Sequence, residues 1–97
     1  MTKKARTAAE KRHLSRVTDL GCIACTILGF HDTPSEIHHL LEGMGMGQRN
    51  DDYNTIPLCP YHHRQGPNAI HQSKVKFEHD FGTEIELLEI VNSSLGL

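Results

Sequence analysis

Metal-binding side chains stand along this chain in four ordered pairs, Cys22/Cys25, His38/His39, Cys59/His62 and His63/His71, with Asn54 just ahead of the third. A tetrahedral structural zinc takes four Cys or His ligands, whereas a catalytic metal keeps fewer protein ligands and an open position. One ion cannot use the whole set. The count points to two sites, one for folding and one for chemistry.

The spacings Cys22-x-x-Cys25 and Cys59-x-x-His62 each bring a pair of ligands to one ion, and together they make a closed Cys₃His zinc site. Composition asks for such a staple. With 97 residues, no Trp, three Phe and two Tyr, the chain reads as a single domain over 1–97 with a thin core. Domains this small commonly draw stability from disulfides or a structural metal. Three cysteines cannot close as internal pairs, and no βαβ pattern surrounds the CxxC to make it a redox motif. No secretory signal and no apolar run of about 18 residues is present, so an intracellular, reducing location is expected, with the thiols free for metal.

Net charge is −2 and decides little, but its distribution is uneven. Lys3, Lys4, Arg6, Lys11, Arg12 and Arg16 crowd the first sixteen positions, while Glu84, Glu86 and Glu89 cluster near the other end. Lys11, Arg12 and Arg16 can touch nucleic-acid phosphates, as can Arg64; a solvated helix face is the alternative for all four.

Thr7 and Glu10 fit a capping box, and Leu14, Val17 and Leu20 recur at helical spacing until Gly21 supplies a left-handed cap, which predicts a helix over 8–20. The chain then enters a turn presenting Cys22 and Cys25. A short strand is expected within 35–41, carrying His38 and His39. Adjacent strand residues face opposite ways, so joint service in one site would need a bulge or bend. Glycines and two methionines make 42–52 a loop, and 55–58 is a second strand with Pro57 at an edge or end. A helix near Pro60 carries His62 and His63 until Gly66-Pro67 breaks it. Further helices are expected over 73–80 and after Thr83, whose capping box with Glu86 starts a helix bearing Ile85, Leu88 and Val91. His13, His31 and His79 read as surface or capping residues. The fold class is α+β, with a basic arm and helix over about 1–20, a zinc-stapled centre over about 21–72 and C-terminal helices over about 73–97.

Glu36-Ile37-His38-His39-Leu40, then Asn54 five residues before Cys59, then His63 directly after the second knuckle, resembles the HNH endonuclease motif across residues 22–71. More narrowly, Ile56-Pro57-Leu58-Cys59-Pro60-Tyr61-His62-His63-Arg64, then Gly66-Pro67, Ile70-His71, Phe77 and Phe81-Gly82, looks like the phage recombination-associated nucleases of the Ref type, described as RecA-dependent. The resemblance implies a ββα-metal (His-Me finger) HNH core and metal-dependent DNA cleavage linked to recombination. It implies DNA and a RecA filament as partners, and the cytoplasm of a bacterial host with a phage or prophage origin. It also implies His39 as general base, Asn54 as the loop-fixing central residue, and His38, His63 and His71 as ligands of a catalytic Mg²⁺ or Mn²⁺, with Zn²⁺ also suited. The family pattern puts its last ligand about one helical turn after the first, which here falls on Pro67. The Gly66-Pro67 break therefore has to fold back to bring in His71. A second reading is a non-catalytic zinc-stapled module that binds nucleic acid or a protein; it leaves the stations of His39, Asn54 and His63 unexplained.

Overall fold

A computed structural model describes residues 5–42 and 50–97. Lys3, Lys4 and the glycine-rich stretch with Met44 and Met46 lie outside the described residues. The rest is a small α+β fold of one two-stranded sheet and several helices.

Thr7 and Glu10 exchange both hydrogen bonds of a capping box, at 3.1 and 2.8 Å, and so start α1 (Ala8–Asp19). Gly21 ends it at φ +78°, a conformation that costs an L side chain. A Cβ there would also stand 3.2 Å from the Thr33 carbonyl oxygen. Gly21→Ala is therefore expected to lower stability by about 1–2 kcal/mol, measured by urea unfolding. An unchanged midpoint would contradict it.

Where a bare turn was expected, Cys22 caps a short helix, α2 (Ile23–Ile27), its sulfur accepting from the Cys25 N–H at 3.4 Å. The thiols thus sit on a defined helical turn.

Strands β1 (Glu36–His39) and β2 (Thr55–Leu58) pair antiparallel in a continuous register, His38 opposite Ile56 and His39 opposite Thr55. The bulge or bend that would turn both histidines into one ligand set is absent, and their side chains diverge. All of β2 is buried, with α1, α2 and the last helix packed against it. Pro57 is tolerated because each strand of a two-stranded sheet keeps one unpaired edge.

After Pro60 the chain winds wider than an α-helix, as a π-helical turn (Tyr61–Gln65) closed by the Gly66 N–H on the Tyr61 carbonyl at 2.8 Å. Beyond Gly66 it folds back, and the Ile70 and His71 N–H groups donate to the His62 and His63 carbonyls at 3.0 and 3.1 Å. Helices α3 (Lys74–Phe81) and α4 (Glu84–Ser94) follow, the latter opened by the Thr83/Glu86 capping box.

The core gathers Val17, Leu40, Ile56, Leu58, Phe77 and Leu87 around the three cysteines. On α4 the inward face is Glu84, Leu87 and Val91, and Ile85 is 43% exposed. Glu84 turns into the protein and breaks up the acidic cluster. His13, expected as a surface or capping residue, is instead 6% exposed, one turn before Val17 on the inner face of α1, with its ring tilted against that of Tyr53 at 4.8 Å. His31 is exposed, as is His79, which pairs with Asp80. Among the described residues no helix is long and apolar enough to cross a membrane.

Candidate metal centres and active site

Cys22, at the start of α2, and Cys25, inside it, meet Cys59, which follows β2, and His62 of the π-helical turn. All four are buried. Around a tetrahedral zinc with Zn–S and Zn–N bonds of about 2.3 and 2.0–2.1 Å, sulfur–sulfur and sulfur–nitrogen separations come out at roughly 3.8 and 3.6 Å. Here the Cys25 and Cys59 sulfurs are 3.8 Å apart. His62 Nδ1 lies 3.8, 3.5 and 3.3 Å from the sulfurs of Cys22, Cys25 and Cys59. The donor set can hold a metal such as zinc.

Its electrostatics agree. Burial pushes the Cys22 thiol up to about 12, against hydrogen bonds from the main chain of Cys25 and Cys59. A bound cation would reverse that by stabilising the thiolate. Burial lowers the His62 pKa, which keeps the ring neutral with a lone pair to give.

A second cluster shares the π-helical turn with the first. His38, His63 and His71 each place a ring nitrogen within 4.8 Å of the others, and the His63 and His71 Nε2 atoms are 3.1 Å apart. That is close to the roughly 3.0–3.4 Å between two ligands held at about 2.0–2.1 Å on an octahedral or tetrahedral ion. Burial lowers the pKa of both His63 and His71, so both rings favour the neutral, metal-binding form. His38 is buried and His71 exposed, which leaves one side of the cluster open to solvent.

Carboxylates that the sequence reading did not single out orient these rings. Glu36, two residues before His38 on the same face of β1, accepts from His63 Nδ1 at 2.8 Å. Arg64 donates to the same carboxylate, and hydrogen bonds from Arg64 and His63 hold its pKa below the usual range. Ionised Glu36 fixes the proton of neutral His63 on Nδ1 and leaves the lone pair on Nε2, facing His71.

Glu84, fully buried at the first position of α4, accepts from His38 Nε2 at 2.7 Å and from the Leu41 and Glu42 N–H groups at 2.9 Å each. Burial opposes its charge. The His38 and backbone hydrogen bonds outweigh that and hold its pKa below the usual range. Nδ1 is then the His38 nitrogen left to bind an ion.

His39 turns to the opposite face of β1 and donates from Nε2 to Asp52 Oδ1 at 2.9 Å. Asn54 hydrogen-bonds the Asn50 side chain at 2.9 Å, and its carbonyl accepts from the Leu40 N–H at 3.1 Å. It thereby ties the loop before β2 to the residue after His39. Lys11 and Arg12 are exposed on α1. Arg16 donates to the Leu95 carbonyl at 2.7 Å and so caps the end of α4, and Arg64 is engaged by Glu36.

The sequence model of a family described as recombination enhancement, RecA-dependent nuclease matches residues 6–95. The chain belongs to the RecA-dependent nuclease family. The match takes in every residue of both clusters as well as His39, Asp52 and Glu84. The chain is also 32% identical over 87 residues to the uncharacterized protein YdfU of Escherichia coli (strain K12), a match covering 88% of this chain. It spans 22% of the length of that relative. A nuclease family and a three-imidazole cluster beside a carboxylate-bound histidine are compatible in chemistry, since neutral imidazoles suit both metal binding and proton transfer near neutral pH.

Proposed function

We propose that this chain is a metal-dependent HNH endonuclease with a ββα-metal core that hydrolyses DNA phosphodiester bonds in recombination, with a RecA filament as partner. In this reading residues 1–97 form one domain, and a zinc at Cys22, Cys25, Cys59 and His62 serves folding alone. The observation that carries the proposal is the three-imidazole cluster, open to solvent on one side, with a further histidine next to it at the end of β1. His38 joins the His63 and His71 imidazoles, and its neighbour His39 sits against a carboxylate.

His38, His63 and His71 would hold the catalytic ion, Mg²⁺ or Mn²⁺, the imidazole set also suiting Zn²⁺. Bound there, it would act as a Lewis acid on the scissile phosphate and its leaving oxygen. His39 accepts the proton of the water that attacks phosphorus. The bond from phosphorus to the 3′ oxygen breaks, and that oxygen takes a proton from solvent. Asn54 holds the loop that flanks the base. Exposed Lys11 and Arg12 of α1 supply phosphate contacts.

The test is cleavage of supercoiled plasmid and of single-stranded circular DNA with Mg²⁺ or Mn²⁺, with and without a RecA filament. His39→Ala is expected to lose about 10²–10⁴-fold in rate while keeping its zinc and its circular dichroism spectrum. If the wild type cuts neither substrate under any condition while zinc stays bound, the non-catalytic nucleic-acid-binding module becomes the better account.

A further inference from the structure

Three separate segments meet at Asp52. It lies in the loop before β2, its side chain is 5% exposed, and Thr55 Oγ1 donates to its main-chain carbonyl at 2.9 Å. From β1, His39 Nε2 donates to Oδ1. From the segment ahead of α1, Arg6 donates through Nε to Oδ2 and through Nη2 to Oδ1, the latter at 3.3 Å. The carboxylate is thus gripped from both sides, and His39 reaches it from a side chain that keeps 16% exposure.

Charge decides which way the protons run. The Arg6 hydrogen bond holds the Asp52 carboxyl at about 2, with burial opposing and the His39 hydrogen bond assisting. An ionised carboxylate can only accept. The proton of a neutral His39 is therefore on Nε2, and its lone pair is on Nδ1.

We infer that Asp52 is a positioning residue for the nuclease reaction, fixing the orientation and the Nε2–H tautomer of His39 so that Nδ1 is the atom that takes the proton, with Arg6 holding Asp52 in place. The inference rests on the reading of His39 as the base. The logic is that of an aspartate behind a catalytic histidine, which sets ring and tautomer without itself being protonated.

A purely structural role for Asp52, as a clasp between Arg6 and the loop, predicts something different, and two substitutions separate the cases. In Asp52→Asn, Arg6 claims the amide oxygen, so the amide NH₂ faces His39 and donates to Nε2. The ring is then driven to the Nδ1–H tautomer. In Asp52→Ala the ring is free to take either form. Stability should fall in the order wild type, Asn, Ala, whereas kcat should fall in the order wild type, Ala, Asn.

The experiment is plasmid cleavage by the zinc-loaded protein with Mg²⁺, alongside ¹⁵N-histidine NMR of the same samples. Asp52→Asn is expected to lose about 10²-fold or more in kcat with KM within about threefold of wild type, as befits an interaction used in the transition state rather than in binding. His39 should read as Nε2–H in the wild type and Nδ1–H in Asp52→Asn. The inference is overturned if Asn is more active than Ala, or if wild-type His39 carries its proton on Nδ1. A wild type without nuclease activity would sink the reading of His39 as base, and the base-positioning role with it; the NMR would still report separately whether Asp52 sets the tautomer.

Discussion

Stripping metal from the zinc-loaded protein with a strong chelator is expected to unfold it, and Cys59→Ser is expected to leave it unable to fold. The magnitudes favour this outcome. Structural zinc sites contribute apparent binding free energies of about 10–16 kcal/mol near neutral pH. The net stability of a domain is only about 5–15 kcal/mol. Here the core depends on the site in a second way, because Cys22, Cys25 and Cys59 are themselves part of the buried cluster packed with Val17, Leu58 and Phe77. Without a cation those positions hold three buried thiols and an imidazole with no partner suited to all of them. The measurement is far-UV circular dichroism during chelation, followed by re-addition of one equivalent of zinc. Full helical signal in metal-free protein would refute the prediction.

Glu84→Gln should separate the second cluster from the first. The substitution keeps the volume at a fully buried position, and its amide oxygen, in the place of Oε1, can still accept from the Leu41 and Glu42 N–H groups at 3.1 and 2.9 Å. Its NH₂ then faces His38 Nε2, which has to accept. The His38 proton moves to Nδ1 and blocks the nitrogen available for an ion. Loss of such an outer-shell partner typically costs about 10–100-fold in metal affinity. The expected result is that loss in Mn²⁺ binding by calorimetry, with structural zinc retained. Glu84→Ala goes further, because it strands buried His38 Nε2 and takes the acceptor from two partly buried backbone N–H groups, at a cost of about 3 kcal/mol. Mn²⁺ binding as tight as wild type in the Gln variant would contradict the role assigned to Glu84.

Local chemistry was readable from the sequence. The capping boxes at Thr7 and Thr83, the left-handed Gly21 and the CxxC and CxxH spacings all act within a few residues, so their geometry is written in order along the chain. The carboxylates behind the histidines were not. Glu84 and His38 are 46 residues apart, Glu36 and His63 are 27 apart, and Asp52 and His39 are 13 apart. A lone Asp or Glu in a sequence is indistinguishable from a solvated one until the fold brings it to a ring. Only Glu36 gave a local hint, two residues from His38 on one strand face.

The π-helical turn escaped for a related reason. Nothing in Tyr61-His62-His63-Arg64-Gln65 favours wide winding over an ordinary α-helix. The winding goes with tertiary demands on both sides, where His62 meets the cysteines and the returning chain bonds to the His62 and His63 carbonyls. The buried His13 shows the same limit, since burial on α1 is decided by what packs against it rather than by hydropathy.

That turn carries a consequence for how the sequence can vary. Consecutive residues, His62 and His63, serve the two clusters, and the first is tied to Cys59 only three positions earlier. Deleting or inserting one residue between Cys59 and His62 would rotate both ligands out of place together, so length changes there should abolish folding and, in the proposed reading, chemistry in a single step. Changes of length are expected to be tolerated only outside this short frame, whereas substitution at exposed Gln65 remains open.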